Sequence, residues 1–290
     1  MKRLAMLLSC LILGATAHAQ SASAVRKHAE ASMVVTGSIV VGPDGTVHTC
    51  TLDQPDKLPA PVADLVRNNA AAWRFEPVVR DGAPITARAP MNVRVVATSE
   101  GDGKTFALRI AGATFGDGPS EEQPHYKRRT APSYPQEAVQ ARVAGTVYLL
   151  VRVGRDGTVE DAAAEQVNLT VVDNERGMRR WRKVLADASL KAARDWTFEP
   201  PVAGSHKDDG EWIVRVPVAF HLREWGRPDR SGGYGVWEGY IPGPKETISW
   251  MQDYRLRHAD SRDASSDALA DDSLHLVGSG LRLTTPLDRS

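Results

Sequence analysis

The clearest pattern in the chain is an alternation of apolar and polar residues in its second half. Val147, Leu149, Val151 and Val153 recur at every second position, which places them on one face of a β-strand. The next four residues, Gly154 to Gly157, include the glycines that a tight turn needs for its positive φ angles. The pattern therefore predicts a β-hairpin.

A further strand is predicted near residue 216, and a helix is predicted between it and the hairpin. One face of the strand carries only large apolar residues: Trp212, Val214, Val216, Val218, Phe220 and Leu222. The other face carries Arg215, Pro217 and His221, so we expect it to be exposed to solvent. The helix is predicted from apolar residues at three- and four-residue spacings: Trp181, Val184, Leu185, Ala188, Ala192 and Trp196. The order is strand, strand, helix, strand.

A weaker version of this pattern occupies the first half of the chain. The tetrapeptide DGTV occurs at residues 44–47 and 156–159, and the motif W-x-F-E-P occurs at residues 73–77 and 196–200. Apolar residues at strand and helix spacings surround the first pair: Met33, Val35, Ile39, Val41, Val62, Leu65, Val66, Met91, Val93, Val95 and Ala97. Matched landmarks in the same order indicate an internal repeat whose first copy is degenerate.

The second copy resembles the C-terminal periplasmic domain of the TonB family of energy transducers. Four features carry the resemblance, in order: Tyr134, Pro135 and Ala138, the Asp156-Gly157 turn, the W-x-F-E-P motif, and the last alternating strand. It covers Tyr134 to Leu222 and reaches the first half only in its weaker form. The fold class it implies is α+β, with two small domains that each have an antiparallel three-stranded sheet packed by a helix.

The resemblance also implies a function and a site. Such domains are thought to capture a short extended segment of an outer-membrane transporter by adding it to a sheet edge. Carried over, the partner-binding edge strand contains Trp212, Val214, Val216, Val218 and Phe220. Pro217 lies within this strand and lacks an N–H, so it either directs a missing donor outward, which would weaken partner pairing, or marks a bulge.

The N-terminus has the parts of a secretory signal peptide, and cleavage after Ala19 is expected. Lys2 and Arg3 precede an apolar run, and Ala17 and Ala19 form an A-x-A cleavage site. As a helix, the run of about 14 residues would span about 21 Å, against roughly 30 Å for the hydrocarbon core of a bilayer. The expected location is the periplasm. The alternatives are an inner-membrane anchor and, ranked lower, lipidation at Cys10.

Family transducers keep a membrane helix and a long Pro-rich spacer, and this chain has no such spacer. We therefore expect a protein-binding module in outer-membrane transport, whose partner is a transporter segment or another envelope protein. The alternative is a structural or cell-wall-associated envelope protein that uses the same fold without transporter binding or energy coupling. The sequence leaves membrane contact open.

Composition and motifs disfavour several other functions. The 36 basic and 36 acidic residues balance, so there is no general basic surface for nucleic acid. No HExxH pair, GxSxG elbow or P-loop occurs, and no cofactor, metal site or catalytic residue is predicted. The chain is not expected to be an enzyme, although a hydrolase whose His and Asp lie apart in sequence is left as an alternative. Cys50, in a predicted strand, is expected to be buried.

These patterns predict six segments. They are a signal peptide (1–19), a degenerate TonB-C-like domain (32–98), a linker with an optional short strand (99–131), a TonB C-terminal-like domain (132–223), an aromatic, Gly- and Pro-rich extension (224–259) and a disordered tail (260–290). The aromatic residues of the extension either wrap onto the preceding sheet or form a ligand platform.

Overall fold

Two α+β units and a C-terminal extension make up the part of the chain described by the computed structural model. The described residues are 22–100, 105–116, 119–222, 233–257, 268–269 and 273–287. The predicted cleavage site at Ala17 and Ala19, Cys10, and Trp225 of the extension lie outside these ranges. No helix within them is long and apolar enough to cross a membrane.

The first unit (residues 30–115) is an antiparallel sheet with one helix packed on it. Its strands order as β1, β5 and β6, and β2 pairs with the side of β1 that faces away from β5. The predicted alternating residues of β1 and β5 form its core together with Val62, Val66 and Trp73. Its elements, with the short helix that precedes them, are α1 (Ala22–Arg26), β1 (Glu30–Val41), β2 (Val47–Leu52), α2 (Ala60–Ala72), β3 (Val78–Arg80), β4 (Ala83–Ile85), β5 (Ala87–Ser99) and β6 (Phe106–Phe115).

The second unit (residues 125–220) repeats the order of strand, strand, helix and strand predicted from its sequence. Its main sheet has the order β9, β8, β11, and α4 covers one face through Met178, Trp181 and Leu185. The side chain of Asn174 caps α4 by accepting a hydrogen bond from the Gly177 N–H. The elements are β7 (His125–Arg128), α3 (Gln136–Gln140), β8 (Gly145–Gly154), β9 (Val159–Leu169), α4 (Glu175–Ala193), β10 (Thr197–Glu199) and β11 (Glu211–Phe220).

The DGTV turn has the same geometry in both units. Gly45 and Gly157 each have a φ of 79°. Asp44 and Asp156 each accept hydrogen bonds from the backbone N–H and the hydroxyl of the threonine two residues later. This arrangement is an Asx-type turn that favours aspartate at the first position and glycine at the second.

The C-terminal extension (described residues 233–287) wraps around both units, which differs from the expected loop and disordered tail. It contains β12 (Glu238–Tyr240), α5 (Ser249–Arg257) and β13 (His275–Leu276). Strand β12 adds to β1 of the first unit, and β13 adds to β11 of the second. Tyr234 and Trp237 pack on the core of the first unit rather than on the preceding sheet. The predicted linker also differs, because residues 106–115 form the full-length strand β6.

The two units meet through a buried arginine on the first sheet. Arg94 of β5 donates hydrogen bonds to Ser32 of β1 and to the Tyr148 hydroxyl of β8, each over 2.8 Å. The Arg94 guanidinium also lies 5.7 Å from the ring centroid of Tyr240 in β12. The extension and both sheets therefore share one polar contact.

Candidate partner-binding edge

The predicted site residues lie in the core of the second unit. Trp212, Val214, Val216, Val218 and Phe220 are at most 3% exposed, and all belong to the apolar cluster between the sheet and α4. Their side chains are thus closed to a partner. What β11 can offer an extended segment is the backbone of its outer edge, on the side away from β8.

Backbone direction along β11 follows from one hydrogen bond. The Val277 N–H donates to the Ile213 carbonyl over 2.8 Å, so Ile213 turns its backbone groups to the outer edge. Alternate residues of an antiparallel strand face the same neighbour. Arg215, Pro217 and Ala219 therefore also face outward, and the residues between them pair with β8.

Pro217 therefore lacks an N–H at a position that faces the outer edge of β11. The register between β11 and β8 runs without irregularity from Glu211 to Phe220, which excludes the bulge that the sequence had left open. Proline is tolerated here because the ladder with β8 needs no donor from this position. The outer edge of β11 therefore has a gap in its row of donors.

Part of this edge is already filled by the chain itself. Val214 lies opposite Leu276 and Arg215 lies opposite His275 in β13. Leu276 enters the core on the α4 side, whereas Val277 enters a second apolar cluster on the other face. Within the described residues, β11 has no strand partner on this side beyond Arg215.

The face of the second sheet opposite α4 is buried, contrary to the expectation that it is exposed to solvent. Helix α5 packs Met251 and Tyr254 onto Leu150 and Ile213. Burial raises the pKa of Tyr254 to about 12, and the carboxylates of Asp209 and Glu211 act in the same direction. The fold thus has helices on both faces of β8 and β11.

An ion pair is buried on the same face of the sheet. Arg215 is 1% exposed, and its Nε donates to the Glu165 carboxylate over 2.9 Å. Lys245, which is half exposed, lies 3.4 Å from the other Glu165 oxygen. Arg215, which was predicted to lie on a solvent-exposed face, is therefore neutralised inside the protein.

The opposite edge of the second sheet is covered as well. Leu169 of β9 exchanges two backbone hydrogen bonds with Ile241, and the Glu246 N–H donates to the Glu165 carbonyl. In the first unit, β6 pairs with β5 along nine residue pairs, from Met91 opposite Phe115 to Ser99 opposite Phe106. The edge of β5 that corresponds to the outer edge of β11 is thus filled, and β6 is itself an edge strand with no strand partner beyond it in the described residues.

In sequence, 97 residues of the chain are 31% identical to Protein tonB2 of Pseudomonas aeruginosa, which is 33% of this chain and 31% of that protein. The chain therefore matches about a third of the length of this curated relative. No family model matches the chain, and no solved structure matches it. The similarity suggests a TonB-like protein and leaves the mode of binding open.

Titratable groups outside this edge form small local contacts. His206 and Asp209 share a 2.8 Å hydrogen bond in the loop before β11, and the His206 carbonyl accepts from the Trp212 indole. No group of three or more metal-ligating side chains occurs in the described ranges. Cys50 is half-buried rather than buried, and desolvation raises the pKa of its thiol.

Sequence reasoning missed two parts of this site, although signals for both are present. Leu150 and Ile213 interrupt the polar faces of their strands, and near-continuous apolar runs are typical of strands buried on both sides. Residues 274–277 read Leu-His-Leu-Val, a short apolar run inside a stretch rich in serine and aspartate. A strand this short cannot be told from a loop by periodicity alone.

Proposed function

We propose that this protein is a non-catalytic protein-binding module of the bacterial envelope that takes up an extended segment at the outer edge of β11. The observation that carries the proposal is that this edge accepts an extended segment of the chain itself, residues 275–277. The similarity to Protein tonB2 supports a role in outer-membrane transport and makes a transporter segment the proposed partner.

Both units are proposed to be TonB-C-like copies of one ancestral domain. The matched DGTV turns support this, and so do matched bonds from the Phe75 N–H to the Gly45 carbonyl and from the Phe198 N–H to the Gly157 carbonyl. Only the second copy is proposed to bind, because β6 fills the equivalent edge of the first.

The proposed location is the periplasm after cleavage at Ala19, with an inner-membrane anchor as the alternative. N-terminal sequencing of the native protein separates them. A chain that begins at Gln20 supports export and cleavage, and one that keeps Met1 supports the anchor.

A panel of N-terminal peptides from outer-membrane transporters tests the binding role, with fluorescence anisotropy as the measurement. Ala219→Pro removes the first outward N–H beyond Pro217, on the part of β11 that β13 leaves uncovered, so it should weaken binding. Ala219→Ser keeps that N–H and is the matched control. Absence of binding across a broad panel by the folded protein would remove the transporter from the proposal.

A second function, as a structural or cell-wall-associated protein, is favoured by the exposed face of α4. Six basic residues lie on it: Arg176, Arg179, Arg180, Lys183, Lys191 and Arg194. Only some are neutralised by neighbours, such as Lys183 by Asp187 over 2.6 Å. Such a face complements an anionic polymer. Pull-down from isolated envelopes that enriches peptidoglycan without a transporter would favour this function.

A further inference from the structure

The C-terminal segment (residues 273–287) is attached to both units. Its first part lies on β11 and its last part lies on the first unit, where the Leu281 N–H donates to the Phe115 carbonyl and the Thr284 N–H donates to the Arg74 carbonyl, each over 2.8 Å. Between the two parts, Gly278 and Gly280 have φ angles of 92° and 81°. The two attachments are therefore separated by a turn that glycine favours.

The attachment of this segment to the first unit has more backbone hydrogen bonds than its attachment to β11. The Glu76 N–H donates to the Arg282 carbonyl over 2.9 Å, and the Arg74 N–H donates to the Thr285 hydroxyl over 2.7 Å. By contrast, the ladder on β11 contains two residue pairs and the bond from Val277. Detachment from β11 alone would leave the segment held on the first unit.

The short ladder on β11 has a physical cause. In the register that places Arg215 opposite His275, continued pairing would place Ser273 opposite Pro217. A carbonyl at that position would find no N–H on β11. The Ser273 hydroxyl is buried and has no hydrogen-bond partner among the described residues, which adds to the poor fit at this end.

We propose that residues 275–277 are an internal occupant of the β11 edge, that an extended partner segment replaces them, and that this partner presents apolar side chains to both faces of the sheet as Leu276 and Val277 do. The inference rests on the proposed function of this edge. It adds the chemistry of the partner and the competitor that the partner must displace.

The chemistry of the partner follows from the two covers of the sheet. Leu276 lies in the α4-side core, and Val277 lies with Ile213 and Met251 under α5. A segment with alternating polar residues would bury unpaired polar groups on one of these faces. The partner segment therefore needs two successive apolar residues. Its residue opposite Pro217 must not depend on a hydrogen-bond donor from β11.

The internal occupant has an advantage over a partner in solution. Its attachment to the first unit keeps it close to β11, so its effective concentration is on the order of millimolar. A partner is expected to bind weakly while residues 275–277 lie on β11. A substitution that weakens the contact of these residues with β11 should strengthen partner binding.

A reversible cross-link tests the proposal in the full chain. Val214 and Leu276 are opposite each other and flanked by hydrogen-bonded positions, a geometry in which paired side chains lie close enough to bridge. Val214→Cys and Leu276→Cys are combined with Cys50→Ser, which removes the remaining thiol of the described residues. The probe is a fluorescent peptide of residues 273–279. Oxidation should abolish its binding, and reduction should restore it.

A release variant provides the opposite change. Leu276→Asp should raise affinity for the same peptide by about tenfold or more, because it removes the competitor held at high effective concentration. Leu287→Asp makes the same substitution in the part of the segment that is attached to the first unit. It should not raise the affinity for the peptide. Equal gains from both variants would indicate general loosening and overturn the inference.

The outcomes separate this inference from the proposed function. Equal binding by the oxidised and reduced forms, or no binding of the peptide to folded Leu276→Asp, overturns the inference. If Leu276→Asp does not fold, the cross-linked form decides. If the peptide result holds while transporter peptides fail with both the wild type and the release variant, the internal occupant stands and the transporter role falls.

Discussion

The backbone N–H of Phe198 donates a hydrogen bond to the carbonyl oxygen of Gly157 over 2.8 Å, which fastens the strand after α4 to the hairpin turn. Gly157 has a φ of 79°, and a Cβ at this position would lie 2.0 Å from the Phe198 carbonyl oxygen. Backbone conformation and close approach therefore both require glycine here.

Gly157→Ala is expected to lower the free energy of unfolding by about 3 kcal/mol or more, because displacement of Phe198 adds to the strain of a positive φ. Gly82→Ala is the matched control, since Gly82 has a φ of 77° and nothing within 4 Å of an added Cβ. That control should cost only about 1 to 2 kcal/mol. Urea unfolding measures both. Equal losses would show that the approach of Phe198 does not matter.

Asp156 should make stability depend on acidic pH. Its pKa is lowered from the model-compound value of 3.8, first by the backbone N–H of Thr158 and then by the Thr158 hydroxyl. A lowered folded-state pKa gives stability that is present above 3.8 and lost as the pH falls through the folded-state pKa.

Asp156→Asn should therefore have a lower Tm than the wild type at neutral pH, and the difference should shrink as the pH falls below 3.8. Thr158→Ala keeps the backbone donor and should retain part of the wild-type pH dependence. Thermal unfolding followed across this pH range gives the measurement. A difference that stays constant down to strongly acidic pH would contradict the role assigned to the carboxylate.

Trp196 should be one of the most costly side chains to truncate. It is 1% exposed, as its place at the end of the predicted helix required, and its indole N–H donates to the Thr130 carbonyl over 2.8 Å. Trp196→Ala is expected to cost about 3 to 5 kcal/mol. Trp196→Phe keeps most of the apolar contact and should cost less. Denaturant unfolding that shows a loss below about 1 kcal/mol for the alanine variant would contradict the burial.

Local patterns were sufficient to predict the two hairpins, both main helices, strand β5 of the first unit and strand β11 of the second. Their periodicity is set by the residues themselves, and the apolar faces of β1, β8 and β11 are buried as the alternation required. Glycine at the turns and tryptophan at the helix exits left equally local signals.

The cover of the second sheet could not be predicted in the same way. It depends on contacts between residues far apart in sequence, such as Ile213 with Val277 and Leu169 with Ile241. The occupied state of the β11 edge has the same origin. Strand pairing over such separations is fixed by the whole fold, and two residues of β13 are too few to carry a periodic pattern.

The buried ion pair of Arg215 and Glu165 gives a further test of the cover on this face of the sheet. The Glu165 carboxylate is 3% exposed, and Arg215→Met leaves it with the half-exposed Lys245 as its remaining cationic neighbour among the described residues. Loss of one partner of a buried pair is expected to cost about 3 to 5 kcal/mol. Arg215→Met combined with Glu165→Leu removes both charges and should cost clearly less than the single variant, because no buried charge is left without its partner. Chemical unfolding of Arg215→Met, of Glu165→Leu and of the double variant completes the double-mutant cycle. A cost for Arg215→Met within about 0.5 kcal/mol of zero, the range typical of surface substitutions, would mean that this ion pair is open to solvent rather than buried.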